Sequence, residues 1–296
     1  MDDLREGLGN YFFNNGSYYK GEWKEGAKHG KGKLEIVDYY VYEGEWRDDM
    51  KHGTGEQNWI GKCKWAGDKY TGDFVEGKRQ GYGVYKYVNG DVYEGSWVNG
   101  MREGKGSLKQ KGGYEYEGEW KHDQEHGFGT QRWTGNDEEW KGDQYEGEMR
   151  DGFREGRGVY RYSNGDEYSG EWVGGRRQGS GKLWCPSQKT LYEGEWQSGT
   201  KNGDGVLRVF KDEDREKKPE EEFKGTFKND QMDGEGVYLY ADGSKYEGTW
   251  EKNKRNGLGK QYDGERNILH DGVWEDDTFM GKVSKWRLTD LASERL

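Results

Sequence analysis

Tyr93-Glu94-Gly95-Ser96-Trp97-Val98-Asn99-Gly100-Met101-Arg102-Glu103-Gly104-Lys105-Gly106-Ser107-Leu108 contains two short strands and the reversal between them. Tyr93 to Trp97 alternates with period two, so Tyr93, Gly95 and Trp97 share one face and Glu94 and Ser96 the other. A glycine-containing loop from Val98 to Gly104 leads to a second strand, Gly104 to Leu108. Glycine has no Cβ, so Gly95 and Gly106 leave a trough in which neighbouring rings can lie.

The pattern Tyr-x-Gly-x-Trp-x-x-Gly-x-x-x-Gly-x-Gly recurs ten times, starting at Tyr19, Tyr42, Tyr70, Tyr93, Tyr116, Tyr145, Tyr168, Tyr192, Phe223 and Tyr246. Phe74, Met149 and Phe227 replace its tryptophan in three copies. The pairs Asn15-Gly16, Asn89-Gly90, Asn164-Gly165 and Asp242-Gly243 return the chain to the next copy and are read as type I′ hairpin turns. Consecutive hairpins predict an all-β chain: an elongated, twisted single antiparallel sheet, a meander of hairpins spanning on the order of 95 Å at about 4.8 Å per strand. Residues 1–18 form a half-repeat, with Gly7 and Gly9 preceding Gly30 and Gly32 by one period, and 19–269 hold the ten repeats. A degenerate copy with His270, Gly272 and Trp274 covers 270–284. Residues 285–296 lack glycine, and the spacing of Leu288, Leu291 and Ala292 predicts a short helix. That helix either caps the last hairpin or docks into a partner through Trp286, Leu288 and Leu291.

Composition agrees with an aromatic core. Of 296 residues 18% are glycine and 15% aromatic, while Leu, Ile, Val and Phe number only 39. A mean hydropathy of −1.38 and a net charge of −11 would suit a disordered chain, but the aromatic content and only 2 prolines oppose that reading. A pI near 5.2 argues against a nucleic-acid partner. Cys63 and Cys185 make no disulfide framework or zinc set. With no signal-peptide pattern at the N-terminus and no apolar run of spanning length, a cytoplasmic location is expected.

Units beginning at Tyr42, Tyr116 and Tyr192 are longer than the others, giving a three-repeat super-period. Two of their long loops are alike and carry Trp59 and Trp65, and Trp133 and Trp140. They are either tolerated insertions or partner contacts. Position 9 of the repeat is basic in eight copies: Lys28, Lys51, Arg79, Arg102, Arg154, Arg177, Lys201 and Arg255. These belong to one sheet edge, as solvated charge or as a docking row. Positions 1 and 3, on the face opposite the rings, are mostly acidic. Gly179-Ser180-Gly181-Lys182-Leu183 imitates a phosphate loop but lacks its first glycine and its Ser or Thr. No nucleophile, acid–base pair, metal or cofactor motif stands out, so an enzyme is not expected.

The repeating Tyr-x-Gly-x-Trp and Gly-x-Gly elements resemble the MORN repeat (membrane occupation and recognition nexus) over nearly the whole chain. The resemblance implies twisted hairpin arrays serving as scaffolds, among them ciliary and cytoskeletal proteins and membrane-contact proteins. Within it this chain is most similar to repeat-only axonemal proteins, notably radial spoke head components of the cilium or flagellum. That implies a non-enzymatic scaffold with protein partners. Independently of the resemblance, the open strand edges at the two ends of a single sheet predict edge-to-edge self-association. The alternative is a membrane-associated scaffold whose basic edge meets anionic phospholipid.

Overall fold

A two-residue reversal at Asn99-Gly100 shows how a hairpin closes. In a computed structural model, which describes residues 4–135 and 140–282, these two residues have φ of 51° and 86°. Val98 pairs with Met101 across them, so the turn is type I′. The same geometry recurs inside each repeat, for example at Glu25-Gly26 (50°, 84°), Asp48-Asp49 (46°, 63°) and His122-Asp123 (49°, 66°). Its twist matches that of the strands it joins.

The sequence reading put type I′ turns at Asn15-Gly16 and its three counterparts, and the structure corrects this. There only the glycine has positive φ (86° at Gly16). Gly16 N–H donates to Phe13 O at 3.0 Å and Phe13 N–H to Ser17 O at 2.9 Å. The loop is a type I turn followed by a left-handed glycine. The reason is the side chain before the glycine: Asn15, Asn89, Asn164 and Asp242 each accept the N–H two residues on, which holds them right-handed.

Twenty-three strands and no helix occupy the described residues, in an open antiparallel meander. Two compact units divide between residues 153 and 154. The first holds β1 (Gly7–Phe12), β2 (Tyr18–Lys24), β3 (Ala27–Ile36), β4 (Tyr40–Arg47), β5 (Met50–Trp59), β6 (Lys69–Val75), β7 (Lys78–Lys86), β8 (Val92–Val98), β9 (Met101–Lys109), β10 (Tyr114–Lys121), β11 (Gln124–Trp133) and β12 (Gln144–Arg150). The second holds β13 (Phe153–Arg161), β14 (Glu167–Val173), β15 (Arg176–Cys185), β16 (Thr190–Gln197), β17 (Thr200–Val209), β18 (Glu221–Lys228), β19 (Gln231–Leu239), β20 (Lys245–Glu251), β21 (Lys254–Tyr262), β22 (Ile268–Glu275) and β23 (Thr278–Gly281). The degenerate copy therefore still makes a hairpin, β22 and β23. The expected helix at 285–296, with Trp286, Leu288 and Leu291, lies outside the described residues.

Glycine faces glycine in successive ladders. Gly9, Gly21, Gly32, Gly44, Gly55 and Gly72 are cross-strand partners in turn, and the row continues to Gly147 in the first unit. A similar row runs from Gly158 to Gly272 in the second. On one face the first ring of each repeat, a tyrosine or Phe223, lies across this row. Tyr93 is 0% exposed, and a Cβ on Gly95 would stand 2.6 Å from its hydroxyl. The hydroxyl donates to Ser96 O at 3.0 Å. Edge-to-face contacts tie Tyr93 to Trp97 at 5.1 Å and to Trp120 of the next repeat at 5.2 Å. Each unit thus has a core one ring deep, held by ring contacts worth about 0.5–1.5 kcal/mol each beyond their burial.

Candidate interaction surfaces

Position 9 falls two residues past the type I′ turn, inside the second strand, and its side chain crosses the ring ladder. Arg102 stacks its guanidinium over Trp120 at 4.2 Å, donates to Asp123 O at 2.6 Å and pairs with the Asp123 carboxylate at 3.2 Å. Arg79, Arg177 and Arg255 lie over Trp97, Trp196 and Trp274 at 4.2–4.3 Å. Arg154 covers Tyr160 at 4.5 Å, and Lys28 pairs with Asp49 at 2.7 Å. Although partial burial of Asp49 works the other way, its bonds from Lys28 hold its carboxyl below the usual range. The row therefore braces one repeat against the next through cation–π contacts and turn carboxylates.

Lys51 and Lys201 stand apart. Lys51 reaches Gln57 Oε1 at 2.5 Å and lies 4.1 Å from the Tyr40 ring, with Tyr42 and Phe74 beyond. Burial pushes its ammonium down to about 8. Lys201, 5.1 Å from the Tyr192 ring, is also pushed down, by burial first. Both precede a repeat in which phenylalanine replaces tryptophan, so no indole is there to take an arginine. At the matching place before Met149 stands Glu125, which accepts from Tyr114 Oη at 2.6 Å and from Gln131 at 2.8 Å.

Both similar long loops close in the same way. Trp59 N–H donates to Asp68 O and Trp133 N–H to Asp143 O, at 3.0 and 3.1 Å. Trp59 packs on Tyr85 at 5.5 Å, and Trp133 lies 5.5 Å from Tyr114 and 6.4 Å from Trp140. Trp65 and Trp140 are 38% exposed, so these two rings present surface, while Trp59 and Trp133 are half-buried. Asp68, only 7% exposed, accepts from Tyr85 Oη at 2.6 Å and from Val88 N–H at 2.8 Å, fixing the loop to the next hairpin. The sequence reading missed this residue, although the shared Gly-Asp before Tyr70 and Tyr145 is its signal. The third long loop packs differently: Phe210 meets Trp184 at 5.7 Å, and Arg215 reaches Glu167 at 3.4 Å.

On the face opposite the rings the glycine row is the floor of a groove. In the first unit a stretch of about 1000 Å³ is lined by Lys20, Lys31, Lys33, Glu43, Glu45 and Glu56 among others. A second stretch, of about 710 Å³, includes Tyr82, Glu94, Lys105, Glu119 and Phe128. Several acidic groups on this face have an internal role unseen in the sequence. Glu22, Glu45, Asp73 and Glu119 accept the backbone N–H of Lys31, Thr54, Tyr82 and Phe128 at 2.9–3.3 Å. Hydrogen bonds from the Thr54 hydroxyl and N–H hold Glu45 below the usual carboxylate range.

Such a ring-and-glycine array, presenting a polar groove and two tryptophan loops, defines a repeat scaffold built for contact. A family model for the MORN repeat matches residues 1–18, 19–39, 42–64, 70–92, 93–113, 116–138, 145–167, 168–190, 192–208, 223–245 and 246–265. The chain belongs to the MORN repeat family, whose repeats are non-enzymatic scaffolds for protein or membrane contacts. The first match includes the half-repeat. Among solved structures, the chain is similar to the TCP domain of SAS-4 (dCPAP) of Drosophila melanogaster, solved with a proline-rich motif of Ana2 (dSTIL). That match has a TM-score of 0.25 and 12% identity, and covers 61% of this chain and 79% of that one.

Proposed function

We propose that this protein is a structural scaffold of the ciliary or flagellar axoneme, similar in role to radial spoke head components, acting in the cytoplasmic compartment through protein partners. The observation that carries the reading is the division of labour between the two faces. The ring face spends its aromatic residues and most of its position-9 cations on its own repeats, which leaves the glycine-floored groove to meet other molecules. Its walls mix Lys, Glu, Thr and Tyr, a composition suited to selective protein contacts. The net charge of −11 fits protein partners better than anionic lipid. A tagged full chain expressed in a ciliated cell tests this. It is expected in detergent-extracted axonemes, and exclusion from them overturns the axonemal reading.

A membrane scaffold is favoured by one observation: Lys20, Lys31 and Lys33 cluster at one end of the groove, with Lys20 directly opposite Lys33. Robust, salt-sensitive flotation with phosphoinositide vesicles would establish that reading in place of the first.

A further inference from the structure

Each complete repeat supplies its second strand with contacts from its first. The glycine at position 13 lies under the tyrosine of its own repeat, so that a Cβ on Gly32, Gly55, Gly83 or Gly106 would run into Tyr19, Tyr42, Tyr70 or Tyr93. In several repeats the N–H at position 12 also donates to an acidic side chain at position 3, as Lys31 does to Glu22 at 2.9 Å and Thr54 to Glu45 at 3.2 Å. A backbone ladder joins the two, and the ring at position 4 faces the residue at position 9, as Trp97 faces Arg102.

Among the described residues, β1 has the register of a second strand and no first strand pairs with it. Gly7, Leu8 and Gly9 occupy positions 11, 12 and 13. Arg5, at position 9, already lies over Tyr11 and Trp23, at 4.2 and 4.8 Å, as its counterparts do in complete repeats. Yet above Gly9 only the indole of Trp23 approaches, 3.2 Å from where a Cβ would stand, and nothing lies within 4 Å of one on Gly7. β1 pairs with β2 along one side, and among the described residues no ladder runs along its other side. Leu8 is 85% exposed and Phe12 73%. An open edge beside an empty ring slot is a template for an added strand.

We propose that the outer edge of β1 is a strand-acceptor site for an extended Tyr-x-Gly-Glu-Trp segment of a second protein chain. The tyrosine fills the slot over Gly9 and the glycine sits opposite Gly9, where any side chain would collide with that ring. The glutamate accepts the Leu8 N–H, and the tryptophan lies opposite Arg5. This is independent of which face the scaffold uses elsewhere.

A fluorescein-labelled peptide copying Val41–Arg47, Val-Tyr-Glu-Gly-Glu-Trp-Arg, titrated into the full chain, tests the site by anisotropy and amide exchange. Saturable binding with slowed exchange confined to residues 7–12 is expected. Replacing the peptide's glycine by valine or its tyrosine by alanine is expected to weaken binding at least about tenfold. In the protein, Gly9→Val is expected to abolish binding and Leu8→Ser, on the opposite face, to retain it. No binding, protection spread along the groove instead of β1, or equal binding of the glycine-free peptide each overturns the proposal.

Discussion

Tyr93 does two things with one side chain: its ring roofs the Gly95–Gly106 pair, and its hydroxyl satisfies a carbonyl at the edge of that roof. The two functions separate by mutation. Gly95→Val drives a branched side chain into the Gly106 backbone and the Tyr93 hydroxyl, neither of which can move aside. Overpacking of this kind costs about 1–3 kcal/mol and more where backbone is struck. Ser96→Val, one residue on, faces the other side of the sheet and should change stability by less than about 0.5 kcal/mol. Comparing the two by thermal unfolding checks the face assignment, and equal losses would refute it. Tyr93→Phe keeps the ring and should cost about 1 kcal/mol, the usual value of one net hydrogen bond. Tyr, Gly and Trp were legible because their roles repeat with the period. Gln57, Asp68 and Glu125 were not, because each is a local answer to a long loop or a missing indole.

At the scale of the hairpin, the array depends on how turns speak to the repeat before them. The second residue of each type I′ turn sends its N–H to the position-9 carbonyl, as Gly100 does to Arg79 and Asp123 to Arg102, at 2.9 and 3.1 Å. Where that residue is aspartate, its carboxylate also accepts the position-9 N–H: Lys28 to Asp49, Arg102 to Asp123, Arg255 to Asp277, at 2.9–3.0 Å. Those bonds offset the strain of a left-handed non-glycine residue. Asp123→Asn keeps an oxygen acceptor and should cost about 0.5–1 kcal/mol, whereas Asp123→Ala loses every side-chain bond and should cost about 2 kcal/mol. Denaturant titration of the two variants measures the difference, and equal losses would show that an uncharged acceptor oxygen at this position contributes nothing. The turns also show where the sequence misled. Asn-Gly is the strongest short hairpin signal, and it drew type I′ to Asn89-Gly90. The true I′ positions include Asp48-Asp49 and His122-Asp123, which carry no glycine and are held by bonds to the preceding repeat that the sequence does not display.

Across each unit the aromatic core sets a response to alkali. Burial holds the phenols of Tyr19, Tyr42, Tyr70, Tyr93 and Tyr116 in the first unit above the ordinary 10, Tyr19 at about 12. The second unit holds Tyr168, Tyr192 and Tyr246 likewise, Tyr246 at about 12. A raised acid keeps its proton in the native state after the unfolded chain has lost it. Stability is therefore intact below pH 10 and falls as pH rises beyond it. The five named groups alone, at about 1.36 kcal/mol each, remove roughly 7 kcal/mol per pH unit from the first unit, and the three named in the second remove roughly 4; the raised phenols of Tyr85 and Tyr114, and of Tyr238, add to these losses. Set against a typical stability of about 5–15 kcal/mol, the first unit should give way within about two pH units above 10. Lys51 acts in the opposite sense. Its ammonium is held down to about 8, so the native state loses that proton before the unfolded chain does, and stability rises between pH 8 and the ordinary lysine value of 10.5. The expected profile is a shallow rise from pH 8 to 10, then an abrupt fall in which strand circular dichroism is lost together with the buried rings' share of the phenolate absorbance, the exposed Tyr39 and Tyr82 being replaced by Phe for the measurement. Lys51→Met removes the titrating group and should flatten the rise without moving the fall. Phenolate from the buried rings appearing well before the strands are lost would show that those rings are not sealed under native conditions. A rise that survives in Lys51→Met would place its origin in another group.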